Sequence, residues 1–326
     1  MVSRPGGPEV LELRTIPVPP PTPGRVLIKV RAFGINRSEW HTRCGMSPSV
    51  SFPRVLGIEC VGEVVSAPDT ALTPGQTVAA MMGEMGRAYD GGYAEYTSVP
   101  ATHVFPLSTG LDWATLGALP EMLQTTYGSL TTGLEVVAGE RLLIRGGTSS
   151  IGLAAAALAR DFSLYVIATT RSQGRAELLT RAGVDEVLID DGHIADELRA
   201  RYPAGVDRVL ELIGTTTLRD SLMCARAGGV VCMTGVLGGE WVMSSFEPMV
   251  EIPTGVKLTA YSGGSSDISA EQLQAFVTRV ERGDLSLVRG RVYHIDDIQQ
   301  AHRALDDNTV SGKQVVVTDR ADLSAP

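Results

Sequence analysis

The first third of the chain carries short apolar runs with a period near two. In residues 26–33, Val26, Ile28 and Val30 alternate with Leu27, Lys29 and Arg31, the pattern of a strand with one well-buried face. Residues 10–14, 17–23 and 57–65 read as further strands bounded by turn residues, so this region predicts an antiparallel β-barrel or sandwich. Near Leu119 the pattern changes. From there to about Tyr261, helical stretches alternate with short, fully apolar segments, the signature of a parallel sheet covered on both faces. Strands are expected at 141–144, 164–168, 186–189, 208–211, 229–233 and 257–261, and helices at 151–161, 175–182 and 218–225. A helix over 270–282, a strand over 291–293, and the segments 298–306 and 314–318 suggest a return to the first domain. The fold class is α/β: a β-rich domain plus a doubly wound parallel-sheet domain.

The first apolar strand of the second region runs into Arg145-Gly146-Gly147-Thr148-Ser149-Ser150-Ile151-Gly152 and then an alanine-rich helix. A strand, a small-residue turn and a helix bring free backbone N–H groups and the positive helix end together, which suits a pyrophosphate. Gly147 and Gly152 take the outer places of the G-x-G-x-x-G spacing and Ser149 the middle one; a tight turn with no ligand needs the same small residues. The following strand ends in Thr169-Thr170-Arg171-Ser172-Gln173-Gly174-Arg175, with no carboxylate before Glu177. An NAD site places an acidic residue there, whereas an NADP site supplies cations for the 2′-phosphate. Arg171 and Arg175, joined by the hydroxyls of Thr170 and Ser172, therefore predict NADPH, the alternative being that both arginines merely begin a solvated helix.

Composition narrows the setting. The 326 residues suit two domains, and 28 basic against 37 acidic residues give a net charge of −9, which argues against nucleic acid or an anionic membrane as partner. An anionic ligand must be caught locally. Cys44, Cys60, Cys224 and Cys232 form no C-x-x-C pair and are too sparse for a disulfide scaffold. The start of the chain lacks the apolar core of a signal peptide, and the apolar helical run 153–159 falls far short of the roughly 18–20 residues of a membrane span. The expectation is a cytoplasmic protein.

The chain resembles the medium-chain dehydrogenase/reductases, specifically their zinc-free quinone oxidoreductase branch. The resemblance rests on Gly6-Gly7-Pro8-Glu9-Val10-Leu11, on Phe33-Gly34-Ile35-Asn36-Arg37-Ser38-Glu39, on 53–62 and on Asp90-Gly91-Gly92-Tyr93-Ala94-Glu95-Tyr96. It continues through 146–152, 205–214, Ala301-His302-Arg303 and Gly312-Lys313. It implies a GroES-like catalytic domain over 1–119 and 262–326, a Rossmann domain over 120–261, an active-site cleft at their junction, and a homodimer joined through the last Rossmann strand. At the places of the catalytic zinc ligands the chain has Asn36, Ile58 and Glu121, with Glu59 matching the glutamate beside the metal. Asparagine and isoleucine cannot replace cysteine and histidine, and 75–96 holds no cysteine for a structural zinc, so no metal is expected.

The function implied is an NADPH-dependent reduction of a quinone or an α,β-unsaturated carbonyl compound, acceptors that delocalise charge without a Lewis acid. The alternatives are an enoyl-thioester or polyketide-type enoyl reductase and a non-catalytic, zeta-crystallin-like NADPH-binding protein. Asn36 would donate to a carbonyl or a ribose, and Ser38 and His41 match proton-relay positions, with His41 equally a pocket wall or ribose contact. Glu121, Gln124 and Thr126 fall where the family contacts nicotinamide and substrate, Thr234, Gly235 and Val236 would flank the nicotinamide ribose, and Asp190 the adenosine. Their bland readings are a helix cap for Glu121, a strand-end turn for Thr234, Gly235 and Val236, and the start of a loop for Asp190. Glu59 needs an ion-pair partner, with Arg37 or Arg54 suggested; Trp40 is a wall or a packing residue. Lys313 matches a family position near the cleft or is a surface lysine.

Overall fold

The computed structural model describes residues 1–324. In chain order its strands are β1 (Arg25–Gly34), β2 (Glu59–Ser66), β3 (Thr77–Met81), β4 (Tyr96–Pro100), β5 (Val104–Pro106), β6 (Arg141–Arg145), β7 (Tyr165–Thr170), β8 (Glu186–Ile189), β9 (Val206–Glu211), β10 (Ala225–Met233), β11 (Lys257–Ala260), β12 (Arg289–His294) and β13 (Lys313–Val317). The chain divides into two compact units. One contains residues 1–124, 264–284 and 289–324; the other contains 125–263 with 285–288.

The first unit is built on a seven-stranded sheet of order β12-β13-β1-β2-β3-β5, with β4 also paired to β1. Every pairing is antiparallel except β12 with β13. One edge of β1 meets β2, while the other meets β4 over Arg25–Lys29 and β13 over Ala32–Gly34. The inward set Val26, Ile28, Val30 and Phe33 packs with Val64, Val78, Val99 and Val316, so the expected alternation buries one continuous core. Leu27 is buried too, and Lys29 supplies the exposed face. The register Gly34↔Val315 has a functional consequence: two residues further along, Lys313 stands across from Asn36.

The second unit is an all-parallel sheet of order β11-β10-β9-β6-β7-β8. Its first strand, β6, is central, and the chain reverses direction between β6 and β9; at such a switch point α/β sheets bind ligands, beyond the carboxyl ends of the strands. Leu143, Ile167, Val209 and Val231 from the sheet pack with Leu198, Leu218 and Leu222 from the helices Ala195–Arg201 and Thr215–Cys224. This GroES-like sheet and Rossmann sheet are the two halves that the sequence resemblance implies.

Two expected strands are absent. Pro8–Val10 is a single 3-10 turn, Leu11 makes only an isolated bridge to Val2, and residues 12–22 have no regular structure. Pro17, Pro19, Pro20, Pro21 and Pro23 supply no N–H to a ladder, so the apolar residues between them cannot join a sheet. The structure adds helices that strand-like composition hid: Arg37–Arg43 and Pro120–Gly128. The first is capped by Asn36, whose own N–H donates to Glu39 Oε2 at 2.8 Å in a capping box.

Candidate active site: a buried lysine cluster and a dinucleotide loop

In the first unit, residues far apart in the chain converge on Lys313. Its Nζ donates to Glu59 Oε1 at 2.8 Å, to Glu121 Oε2 at 2.7 Å and to Asn36 Oδ1, while Asn36 Nδ2 donates to Glu59 Oε1 at 3.0 Å. Glu59 Oε2 accepts the backbone N–H of Glu121 at 2.9 Å. Lys313 is 1% exposed and Glu59 fully buried, so neither is solvated by water. Gly34 makes room: a Cβ there would collide with Glu59 Oε1 and Lys313 Cε. Burial works against the ammonium, but Glu121 and Glu59 overcome it and hold Lys313 above its ordinary value. Burial raises Glu59 despite that lysine, and raises neighbouring Glu39 to about 7 although the Ile58 N–H donates to Glu39 Oε1 at 2.7 Å.

Two expectations are corrected here. Lys313 is not a surface lysine, and Glu59 pairs with neither suggested arginine. Arg54 bonds Asp90 at 3.0 Å, and Arg37 lies over the Trp40 ring at 5.0 Å. Glu121 begins the helix Pro120–Gly128, and its carboxylate accepts from Lys313 Nζ.

On the helix Arg37–Arg43, Ser38 Oγ accepts from Arg87 Nη2 at 2.6 Å, and the His41 ring packs edge-on to Trp40 at 4.9 Å. Burial and the cations Arg37 and Arg87 push His41 down to about 4, so it is a neutral imidazole at pH 7. Gln124 and Thr126 lie fully buried in the helix Pro120–Gly128; Thr126 Oγ1 has no hydrogen-bond partner among the described residues.

In the second unit, β6 leads through residues 146–149 into the helix Ser150–Ala159. Ser149 caps it: its Oγ accepts the Gly152 N–H at 3.0 Å and donates to Gly146 O at 2.8 Å. The N–H groups of Ser150 and Ile151 have no intrahelical partner and open the positive end of the helix. A Cβ on Gly147 would sit 2.9 Å from Ala168 Cβ, and one on Gly152 would sit 2.6 Å from both Gly146 O and Gly147 O. Close packing of loop, helix and β7 explains both glycines. Thr148, Ser149, Ser150 and Ile151 remain half-buried.

At the end of β7, Thr170 is buried and its Oγ1 accepts the Ser172 N–H at 3.2 Å, turning the chain so that Arg171 and Ser172 are exposed; Arg175 is partly so. After β10, the N–H groups of Thr234 and Gly235 donate to Glu211 O at 2.9 and 3.1 Å, and Val236 is buried. Asp190, at the end of β8, belongs to an ion-pair network: its two oxygens accept Arg145 Nε and Nη2, each at 2.9 Å. Its carboxylate is already committed. Arg145, fully buried, also reaches Asp220 Oδ2 at 2.6 Å, a network that the sequence reading missed because its members come from three separated segments.

Donor chemistry sets this cluster apart from a zinc site. The oxygens of Asn36, Glu59 and Glu121 surround an ammonium, and Ile58 offers no donor, so the residues present do not form a thiolate–imidazole zinc site. Among the described residues, no group of three or more His, Cys, Asp or Glu side chains is placed to hold a metal ion. Among them also, no helix is long and apolar enough to cross a membrane.

Residues 22–109 match the family model of the alcohol dehydrogenase GroES-like domain, and residues 182–316 that of zinc-binding dehydrogenase. The chain is 30% identical over 311 residues to quinone oxidoreductase of Rattus norvegicus, covering 91% of this chain and 90% of that protein. Quinone oxidoreductase of Homo sapiens is 28% identical over 320 residues, with coverage of 96% and 95%. Among solved structures, mycobacterial Rv1454c complexed with NADPH has a TM-score of 0.86 at 25% identity, covering 97% of this chain and 98% of that one.

Proposed function

The chain belongs to the quinone oxidoreductase branch of the medium-chain dehydrogenase/reductases, and from that premise we propose an NADPH-dependent, metal-independent reductase of quinones or α,β-unsaturated carbonyl compounds. The observation that carries the cofactor choice is the exposed Arg171 at the end of β7, with no carboxylate before Glu177. NADPH, when bound, supplies the hydride. The chain does the rest. The N–H groups of Ser150 and Ile151, with Gly147, Thr148 and Ser149, hold the pyrophosphate. Arg171 and Arg175, with Thr170 and Ser172, hold the 2′-phosphate by charge-assisted bonds. Thr126, Thr234, Gly235 and Val236 border the nicotinamide ribose; Asp190 contributes a wall at the adenosine, its carboxylate staying with Arg145.

Toward the acceptor stand Asn36, Ser38 and His41, with Gln124 buried in the helix that Glu121 begins. Asn36 donates its remaining Nδ2 hydrogen to the acceptor oxygen. Ser38, whose oxygen takes an Arg87 hydrogen, keeps its own proton to give. His41, neutral at pH 7, serves as a hydrogen-bonding imidazole and not as an imidazolium acid.

The test titrates the purified protein with NADPH and NADH and then offers 1,4-benzoquinone and 2-cyclohexenone. Tighter binding of NADPH and its steady consumption are expected; preference for NADH refutes the cofactor choice, and binding without turnover supports the non-catalytic reading. Arg171→Asp should weaken NADPH by about tenfold to a hundredfold while leaving NADH nearly unchanged.

We infer a homodimer joined through β11, one of the two edge strands of the six-stranded sheet, supported by the outward Val242, Met249 and Val250 in the same unit, 80%, 99% and 76% exposed. Light scattering should give twice the chain mass. The four cysteines are free thiols, which supports residence in the reducing cytoplasm.

A further inference from the structure

Lys313 has three ammonium hydrogens, and three oxygens receive them: Asn36 Oδ1, Glu59 Oε1 and Glu121 Oε2. None is left for a substrate. The same geometry fixes the Asn36 amide. An ammonium only donates and a carboxylate only accepts, so the amide oxygen must face Lys313 and the Nδ2 group must face Glu59. The flipped amide would set NH2 against ammonium and oxygen against carboxylate. One Nδ2 hydrogen goes to Glu59; the other is the remaining donor of a side chain at the 8% exposed end of the cluster.

We propose that Lys313 is the resident cation of this site, standing among the residues that match the zinc ligands of metal-dependent relatives, and that it is a positioning residue for Asn36. It neutralises carboxylate charge that has no water to solvate it, and it keeps the free Asn36 N–H presented as a donor. A divalent ion is therefore excluded by the chain itself: the place is filled by a covalently tethered charge, and Gly34 leaves space for that lysine stem.

The assay rests on the reductase reading above, so the test has two arms. In the first, the full chain is compared with Lys313→Met/Glu59→Gln, which removes one positive and one negative charge together and so avoids stranding an extra carboxylate. NADPH affinity, read by nucleotide fluorescence, should stay within about threefold, because the loop after β6 is untouched, while kcat with 1,4-benzoquinone falls by at least about tenfold. A folded double variant with kcat within about twofold of the parent overturns the positioning role.

In the second arm, Lys313→Ala is exposed to manganous ion and followed by electron paramagnetic resonance. One ion per chain and a higher melting temperature are expected for Lys313→Ala, and no uptake for the parent or for Lys313→Ala/Glu59→Gln/Glu121→Gln. Uptake by the parent equal to that of Lys313→Ala, or none by Lys313→Ala, overturns the cation assignment. A parent that reduces no quinone or enone sinks the reductase reading instead, and the metal arm still decides the cation assignment.

Discussion

The loop after β6 and the cluster around Lys313 both manage charge away from bulk water, but they draw on the chain differently. The loop's proposed anion-holding groups are backbone N–H within residues 146–152, and Ser149 caps the helix through a partner three residues away. The cluster joins Asn36 to Lys313 across 277 residues, through the pairing of β1 with β13. Local backbone groups make a site that each turn of chain can form almost alone. A site of tethered charges exists only when the whole sheet has closed, and each charge depends on the others. Removing one member should therefore cost far more in the cluster than in the loop.

The sharpest way to break this comparison is Lys313→Met. It leaves Glu59 and Glu121 facing each other without their cation in a buried place, and loss of one partner of such a set costs about 3–5 kcal/mol. Urea denaturation should show that loss as a lower midpoint with an unchanged slope. A variant as stable as the parent would mean that the carboxylates take up protons at little cost, and that the ammonium is not what holds the cluster.

Gly152→Ala probes the loop at its tightest point. The new Cβ meets two backbone carbonyl oxygens at 2.6 Å, which cannot swing aside like a side chain, so the loop must shift relative to the helix. Overpacking of this kind costs about 1–3 kcal/mol, and the shift also moves the N–H groups of Ser150 and Ile151. Thermal denaturation and NADPH titration should both register the change. Unaltered affinity in a destabilised variant would show that the glycine serves packing alone.

The same contrast explains what could be read along the chain. The six strands of the parallel sheet and the glycine loop were legible because the signals are contiguous: an apolar run, a small-residue turn, an alanine-rich helix. The segment 17–23 has apolar residues at strand spacing but too few N–H groups for a ladder, because five of its residues are proline, whereas 10–14 holds no proline and pairs only through the isolated bridge of Leu11 to Val2. For Glu59 the need for a cation was plain from its Gly- and Val-rich surroundings, yet nearby arginines were the natural candidates. The partner lay at the start of the last strand, and only the register Gly34↔Val315 reveals it. Asp190 is the converse case: its place at a strand end is legible from the local pattern, while the Arg145 partner of its carboxylate is not. Strand positions follow from local pattern, whereas ion-pair partners follow from register.

The smallest expected effect belongs to Ser149→Ala. Its hydroxyl satisfies the Gly152 N–H and bonds back to Gly146 O, so alanine removes the cap while keeping a small side chain at the middle place of the glycine pattern. Losing a helix cap costs about 1 kcal/mol. The freed Gly152 N–H joins the neighbouring N–H groups at the same positive helix end, where a bound pyrophosphate can satisfy them, so the stability loss should shrink when NADPH is present. Melting curves with and without saturating NADPH measure this directly. An equal loss in both conditions would place the pyrophosphate away from this helix end, and would remove the reason for reading residues 146–152 as a cofactor loop at all.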